Sequence, residues 1–156
     1  MSGFQIQPFP VDRVRPLFAL DERELARHGA RRVTAQADVG YPCRVGLRDV
    51  RSGESLIALS YEHLPDRSPY RASGPVFVSD TRPARPEVNE WPDMLSRRPL
   101  SLRLYDERHD MIDAVLVHGS EAPAQVHALL DRTEAAYLHV HLQPRGCFAC
   151  EIRRAQ

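Results

Sequence analysis

The sequence predicts an α+β domain built on a mainly antiparallel sheet, with two short helices and a long Pro-rich loop. Three observations carry this expectation. Segments with β-branched or alternating apolar residues outnumber helical ones, turn residues separate neighbouring segments at hairpin spacing, and only two stretches combine a start signal with apolar residues at helical intervals. With 156 residues and 42% hydrophobic content, residues 1–156 fit one domain around one core.

Asp21 to His28 reads as the first helix, with Asp21 as N-cap and Gly29 as its stop. Arg32 to Ala37, Cys43 to Val50, Glu54 to Tyr61 and Val76 to Ser79 read as strands, and Ser52-Gly53 as a turn. From Asp80 to Pro99 four prolines interrupt backbone hydrogen bonding, which predicts a long surface loop with room for one short helix. Leu100 to Tyr105 and Met111 to Val117 form a hairpin around Asp106 to Asp110. Val126, Leu129 and Leu130 recur on one face of a second helix from Pro123 to Thr133, capped by Ser120 and packed on a sheet. Ala136 to Gln143 and Gly146 to Arg153 are the last strands, joined at Pro144-Arg145.

Composition excludes several functions. The 21 basic and 21 acidic residues cancel, so no nucleic acid or anionic membrane is expected as a partner. All 21 basic residues are arginine, which rules out a Schiff-base lysine, pyridoxal phosphate attachment and a Walker A loop. Met1 to Pro8 shows no leader pattern and no run approaches the ~18 apolar residues that cross a bilayer, so a soluble cytoplasmic protein is expected. Three cysteines are too few for a secreted disulfide framework, and reduced thiols are the expectation.

Chemistry concentrates at the final hairpin, where Tyr137 to Arg153 holds two of seven histidines and two of three cysteines. A symmetric turn at Pro144-Arg145 sets His139 opposite Cys150 and His141 opposite Phe148. One face then presents His139, His141 and Cys150 as candidate zinc or iron ligands, with His118 or His63 as a distant further ligand. The same face reads alternatively as a Cys150 nucleophile with His139 as its base. A slip of one residue removes the His139 to Cys150 contact. Cys147-x-x-Cys150 has the spelling of a redox pair, yet in a strand its α-carbons stand about 10 Å apart, beyond the ~7 Å reach of a disulfide. The plain alternative throughout is a half-buried sheet with hydrogen-bonded histidines and structural thiols.

A second set of residues lies in Gly40 to Arg44 and Ser68 to Pro75. Arg44 and Arg71 present paired N–H groups suited to a carboxylate or phosphate, and Tyr41 or Tyr70 supplies a flat hydrogen-bonding wall. The leading functional expectation is therefore a small anionic ligand held by Arg44, Tyr70 and Arg71. A metal-dependent or thiol enzyme using His139, His141 and Cys150 is the alternative, and a homodimer joined through an exposed strand edge is the third.

Gly40-Tyr-Pro-Cys-Arg44, Ser68-Pro-Tyr70, Ser73-Gly-Pro-Val-Phe-Val78, Arg103-Leu-Tyr105 and His139-Val-His141 with Gly146-Cys147, Cys150 and Arg153 resemble an uncharacterised bacterial family, domain of unknown function 1203. The resemblance spans nearly the whole chain, implies a single intact domain and transfers no reaction. One departure is Ser79, where the family pattern carries histidine.

Overall fold

The computed structural model describes residues 2–156. Its ten strands are β1 (Phe4–Ile6), β2 (Arg31–Thr34), β3 (Pro42–Cys43), β4 (Arg48–Asp49), β5 (Ser55–Leu64), β6 (Ala72–Val78), β7 (Pro99–Tyr105), β8 (Met111–His118), β9 (Tyr137–Leu142) and β10 (Cys147–Arg154). Three short helices accompany them, α1 (Glu22–Arg27), α2 (Asp93–Ser96) and α3 (Ala122–Leu130), together with 3-10 turns.

The strands form two five-stranded sheets, ordered β1-β10-β9-β7-β8 and β2-β5-β6-β3-β4. Neighbours pair antiparallel except β3 and β6, which run parallel where Cys43 meets Phe77. On the outer face of the first sheet Leu100, Leu102, Leu104, Leu138 and Val140 pack with Val126, Leu129 and Leu130 of α3. A fully buried leucine contributes about 2 kcal/mol by leaving water, so this face anchors β7 and β9. The second sheet has its own core, in which Leu56, Ile57, Val76 and Val78 meet Leu25 of α1 and Val11, Val14 and Leu17 of the amino-terminal 3-10 turns.

Helix α1 starts as its sequence predicts. Asp21 accepts from the Glu24 amide at 2.8 Å while Glu24 accepts from the Asp21 amide, a reciprocal capping box. Helix α3 starts differently. Ser120 lies inside a 3-10 turn, Gly119–Glu121, where its amide donates to the His118 side chain, and Glu121 holds the N-cap position of α3 without a side-chain bond. Gly119 is demanded by packing, because a Cβ there would stand 1.7 Å from the Leu95 carbonyl oxygen of α2.

The expected strand from Cys43 to Val50 is instead a turn. Cys43, Val45 and Leu47 are buried at every second position, so their alternation imitates a strand, yet the chain reverses between β3 and β4 with Leu47 at φ +51°. The polar segment after β6 runs without regular structure until α2, and β7 begins at Pro99. Sequence reading missed β1, whose three residues are too few to display alternation. Among the described residues no helix is long and apolar enough to cross a membrane.

Candidate metal centre

Along β9 alternate side chains face opposite ways. Leu138, Val140 and Leu142 enter the core beneath α3, which turns His139 and His141 toward the second sheet. There His63, near the end of β5, meets them. The ring centre of His63 lies 5.9 Å from that of His139 and 5.0 Å from that of His141, with Phe148 stacked on His63 at 5.2 Å. One ring nitrogen from each of the three histidines falls within 4.8 Å of those of the other two. His139 and His141 are each 1% exposed.

The far side of two of these rings is already engaged. His139 Nε2 lies 3.2 Å from the Glu151 carboxylate and His141 Nδ1 lies 2.8 Å from the Gly146 carbonyl oxygen. A carbonyl or carboxylate only accepts, so each ring donates through that nitrogen, and in a neutral ring the other nitrogen carries the lone pair. Those other nitrogens, His139 Nδ1 and His141 Nε2, are buried without a partner, as is His63 Nδ1. Buried polar atoms are nearly always satisfied, so three orphans in one cluster require an explanation. A carboxylate or carbonyl behind an imidazole is also the arrangement that fixes a metal-binding histidine's tautomer.

Charge and burial favour the same state. Burial pushes His141 down to about 3, against the pull of the Gly146 carbonyl. Burial likewise pushes His63 down to about 4, helped by His139 and Arg103 nearby. Both rings are therefore neutral near pH 7, the form that ligates. Burial raises the Glu151 carboxyl, but hydrogen bonds from His139 and Arg153 outweigh it and hold the group below its ordinary value.

His63 and His139 border a cavity of about 410 Å³ whose wall also includes Arg44, Asp66, Tyr137 and Glu151. His109 reaches into the same wall, 2.7 Å from the Tyr137 hydroxyl and 3.5 Å from Asp66. Cys150 borders the cavity as well, but it does not stand beside His139 as expected. His141 does face Phe148, but a bulge at Ala149 moves the pairing by one residue, so His139 faces Glu151 and Cys150 faces Val140. Cys150 thus joins the core under α3, where burial pushes its thiol up to about 12. It can serve neither as a thiolate ligand beside His139 nor as a nucleophile paired with it. His118 caps a turn at the end of β8, and Cys43, Cys147 and Cys150 are all free thiols.

The arginine and tyrosine set does not assemble as expected. Arg44 is 3% exposed, donating from Nε to the Phe148 carbonyl at 2.7 Å and from Nη1 to the Pro42 carbonyl at 2.6 Å. Arg71 pairs with Glu62 at 3.3 Å at the surface, Tyr70 is 39% exposed, and neither borders the cavity. Ser79 rests its hydroxyl 3.1 Å from the Cys43 sulfur and takes no part in the histidine cluster.

Sequence reading named His63 only as a distant third ligand and missed Glu151. The usable signal for Glu151 was its place next to the expected partner of His139, one residue of register away. No curated protein and no solved structure matches the chain. Residues 40–154, which carry Arg44, the three histidines and Glu151, match the family described as Protein of unknown function (DUF1203), and the chain belongs to that family.

Proposed function

We propose that this protein binds a divalent transition metal, zinc or ferrous iron, through His63, His139 and His141, and acts on a small molecule in the cavity beside them. The observation that carries the reading is the set of three buried imidazole nitrogens without a hydrogen-bond partner. Three protein ligands leave a coordination position open, which is how metal sites that polarise a substrate or activate water are built. With bonds of about 2.1 Å at tetrahedral angles, ligand nitrogens stand about 3.4 Å apart, so a bound ion draws the widest pair here inward. Glu151 and the Gly146 carbonyl hold the His139 and His141 rings from behind. Asp66, His109 and Tyr137 supply polar groups for a bound molecule. Three free thiols support a reducing cytoplasmic setting.

Elemental analysis of untagged protein purified without chelator, followed by titration with cobalt(II), tests this. Wild type is expected to carry about one ion per chain, and His63→Ala and His141→Ala are expected to retain under roughly a tenth of it while melting cooperatively. Cobalt should give the visible absorption of a low-coordinate nitrogen site in wild type alone. Wild type that neither retains a metal nor takes up zinc, ferrous iron or cobalt at about micromolar free ion overturns the proposal.

A further inference from the structure

A second cavity lies on the other side of Arg44. It encloses about 620 Å³ between the second sheet and the turn joining β9 to β10. Arginines 31, 44, 98 and 145 line it, and no aspartate or glutamate does. The Arg98 charge is met by Asp49, a buried carboxylate 2.5 Å away. Arg44 meets only the carbonyls of Phe148 and Pro42, and neither Arg31 nor Arg145 has an ion pair among the described residues. Three guanidinium charges thus border one concavity without a counter-charge. A cation as deep as Arg44 ordinarily has an anion against it.

Most of the remaining wall is apolar, with Val33, Ala58, Pro75 and Phe77 among its residues beside the polar Gln143. The volume falls in the range of small-molecule sites and exceeds what an inorganic phosphate fills. We propose that this cavity binds a small organic oxyanion, its carboxylate or phosphate head held by Arg31, Arg44 and Arg145 and its apolar body against Val33, Ala58 and Phe77. Guanidinium forks match both head groups with paired N–H donors. The site is separate from the histidine cluster and stands or falls without a metal. It keeps Arg44 from the anion clamp expected on sequence grounds and replaces Tyr70 and Arg71.

Cys147 borders the same cavity and is the one thiol of the three that is not buried, so it reports on occupancy. The probe is 8-anilinonaphthalene-1-sulfonate, an anionic head on an aromatic body, added to the protein as purified. Its fluorescence should saturate, and iodoacetamide should then modify Cys147 several-fold more slowly. Arg31→Ala and Arg145→Ala change exposed side chains, so both should fold, and each should weaken the probe by roughly tenfold, the worth of one charge-assisted hydrogen bond. Hexyl phosphate or hexanoate should displace the probe where hexanol does not, and the stronger of the two identifies the head group. Equal displacement by hexanol, unchanged affinity in both Arg31→Ala and Arg145→Ala, or an unprotected Cys147 overturns the proposal.

Discussion

The two cavities share one wall, Arg44, and differ in what they leave unsatisfied. On one side buried imidazole nitrogens lack a hydrogen-bond partner; on the other, Arg31, Arg44 and Arg145 bring positive charge to a wall that holds no carboxylate. A buried polar atom without a partner is costly, which underlies the cation proposed for the first cavity, whereas the anion proposed for the second rests on positive charge without a carboxylate in the wall. Their construction differs too. His139 and His141 sit on β9, held between β10 and β7, whereas Arg31 begins β2 and Arg145 sits in a turn. The imidazoles are preset by a core, and the arginines are placed at edges where a ligand can enter.

The largest effect is expected where the comparison can be broken on both sides at once. Arg44→Met removes the donors to the Phe148 and Pro42 carbonyls, which tie the β3 turn to β10 across the two sheets. Two stranded carbonyls cost about 3 kcal/mol, or roughly 10 °C in Tm for a chain of this size. Metal content and probe affinity should fall together. A variant that melts with wild type and keeps both its metal content and its probe affinity would show that the shared wall is not structural.

Acid should separate the cavities. His63 and His141 lie at about 4 and about 3 in the fold against an ordinary 6.5, so below that ordinary value the unfolded chain binds more protons than the folded one. Stability is therefore complete above pH 6.5 and is lost as pH falls toward 3, by up to about 1.4 kcal/mol per unit for each imidazole. Arginine stays charged throughout this window, so the second cavity has no part in the loss. Urea midpoints between about pH 7 and about pH 4.5 check it, with His141→Leu expected to shallow the acid slope. An unaltered slope in that variant removes His141 from the account. Saturating zinc should raise the midpoint near neutrality and lose that gain as protons displace it.

A smaller and one-sided effect is expected from Glu151→Gln. The amide oxygen still accepts from His139 but carries no charge, and a partner of this kind is worth about tenfold in metal affinity. Binding of the anionic probe at the second cavity should not change. Zinc competition against a chromophoric chelator measures the first, and equal zinc affinity in both proteins would reduce Glu151 to a surface partner of Arg153.

Much of this organisation was legible in the residues. The cap of α1, the β7–β8 hairpin and the final strand pair follow from local rules of capping and alternation that hold whatever else the chain does. The turn after Cys43 was not legible, because a buried turn and a strand show the same apolar alternation. His63 lies more than seventy residues from its partners, and only the packing of two sheets brings it to them. Arg44 was recognised as a residue of interest, but its seat between two cavities depends on carbonyls of distant strands.

The register of β10 shows how a single residue decides the chemistry of the first cavity. Without the bulge at Ala149, Cys150 would stand beside His139 and the face would read as a mixed nitrogen and sulfur site. With it, the carboxylate of Glu151 takes that place and the thiol turns into the core. Cys150→Ala should accordingly cost about 1 kcal/mol for the lost buried sulfur and leave metal stoichiometry at the wild-type level. Elemental analysis beside a thermal melt checks both. A variant that folds but loses its metal would return sulfur to the coordination shell and require the ungapped register, in which Cys150 faces His139.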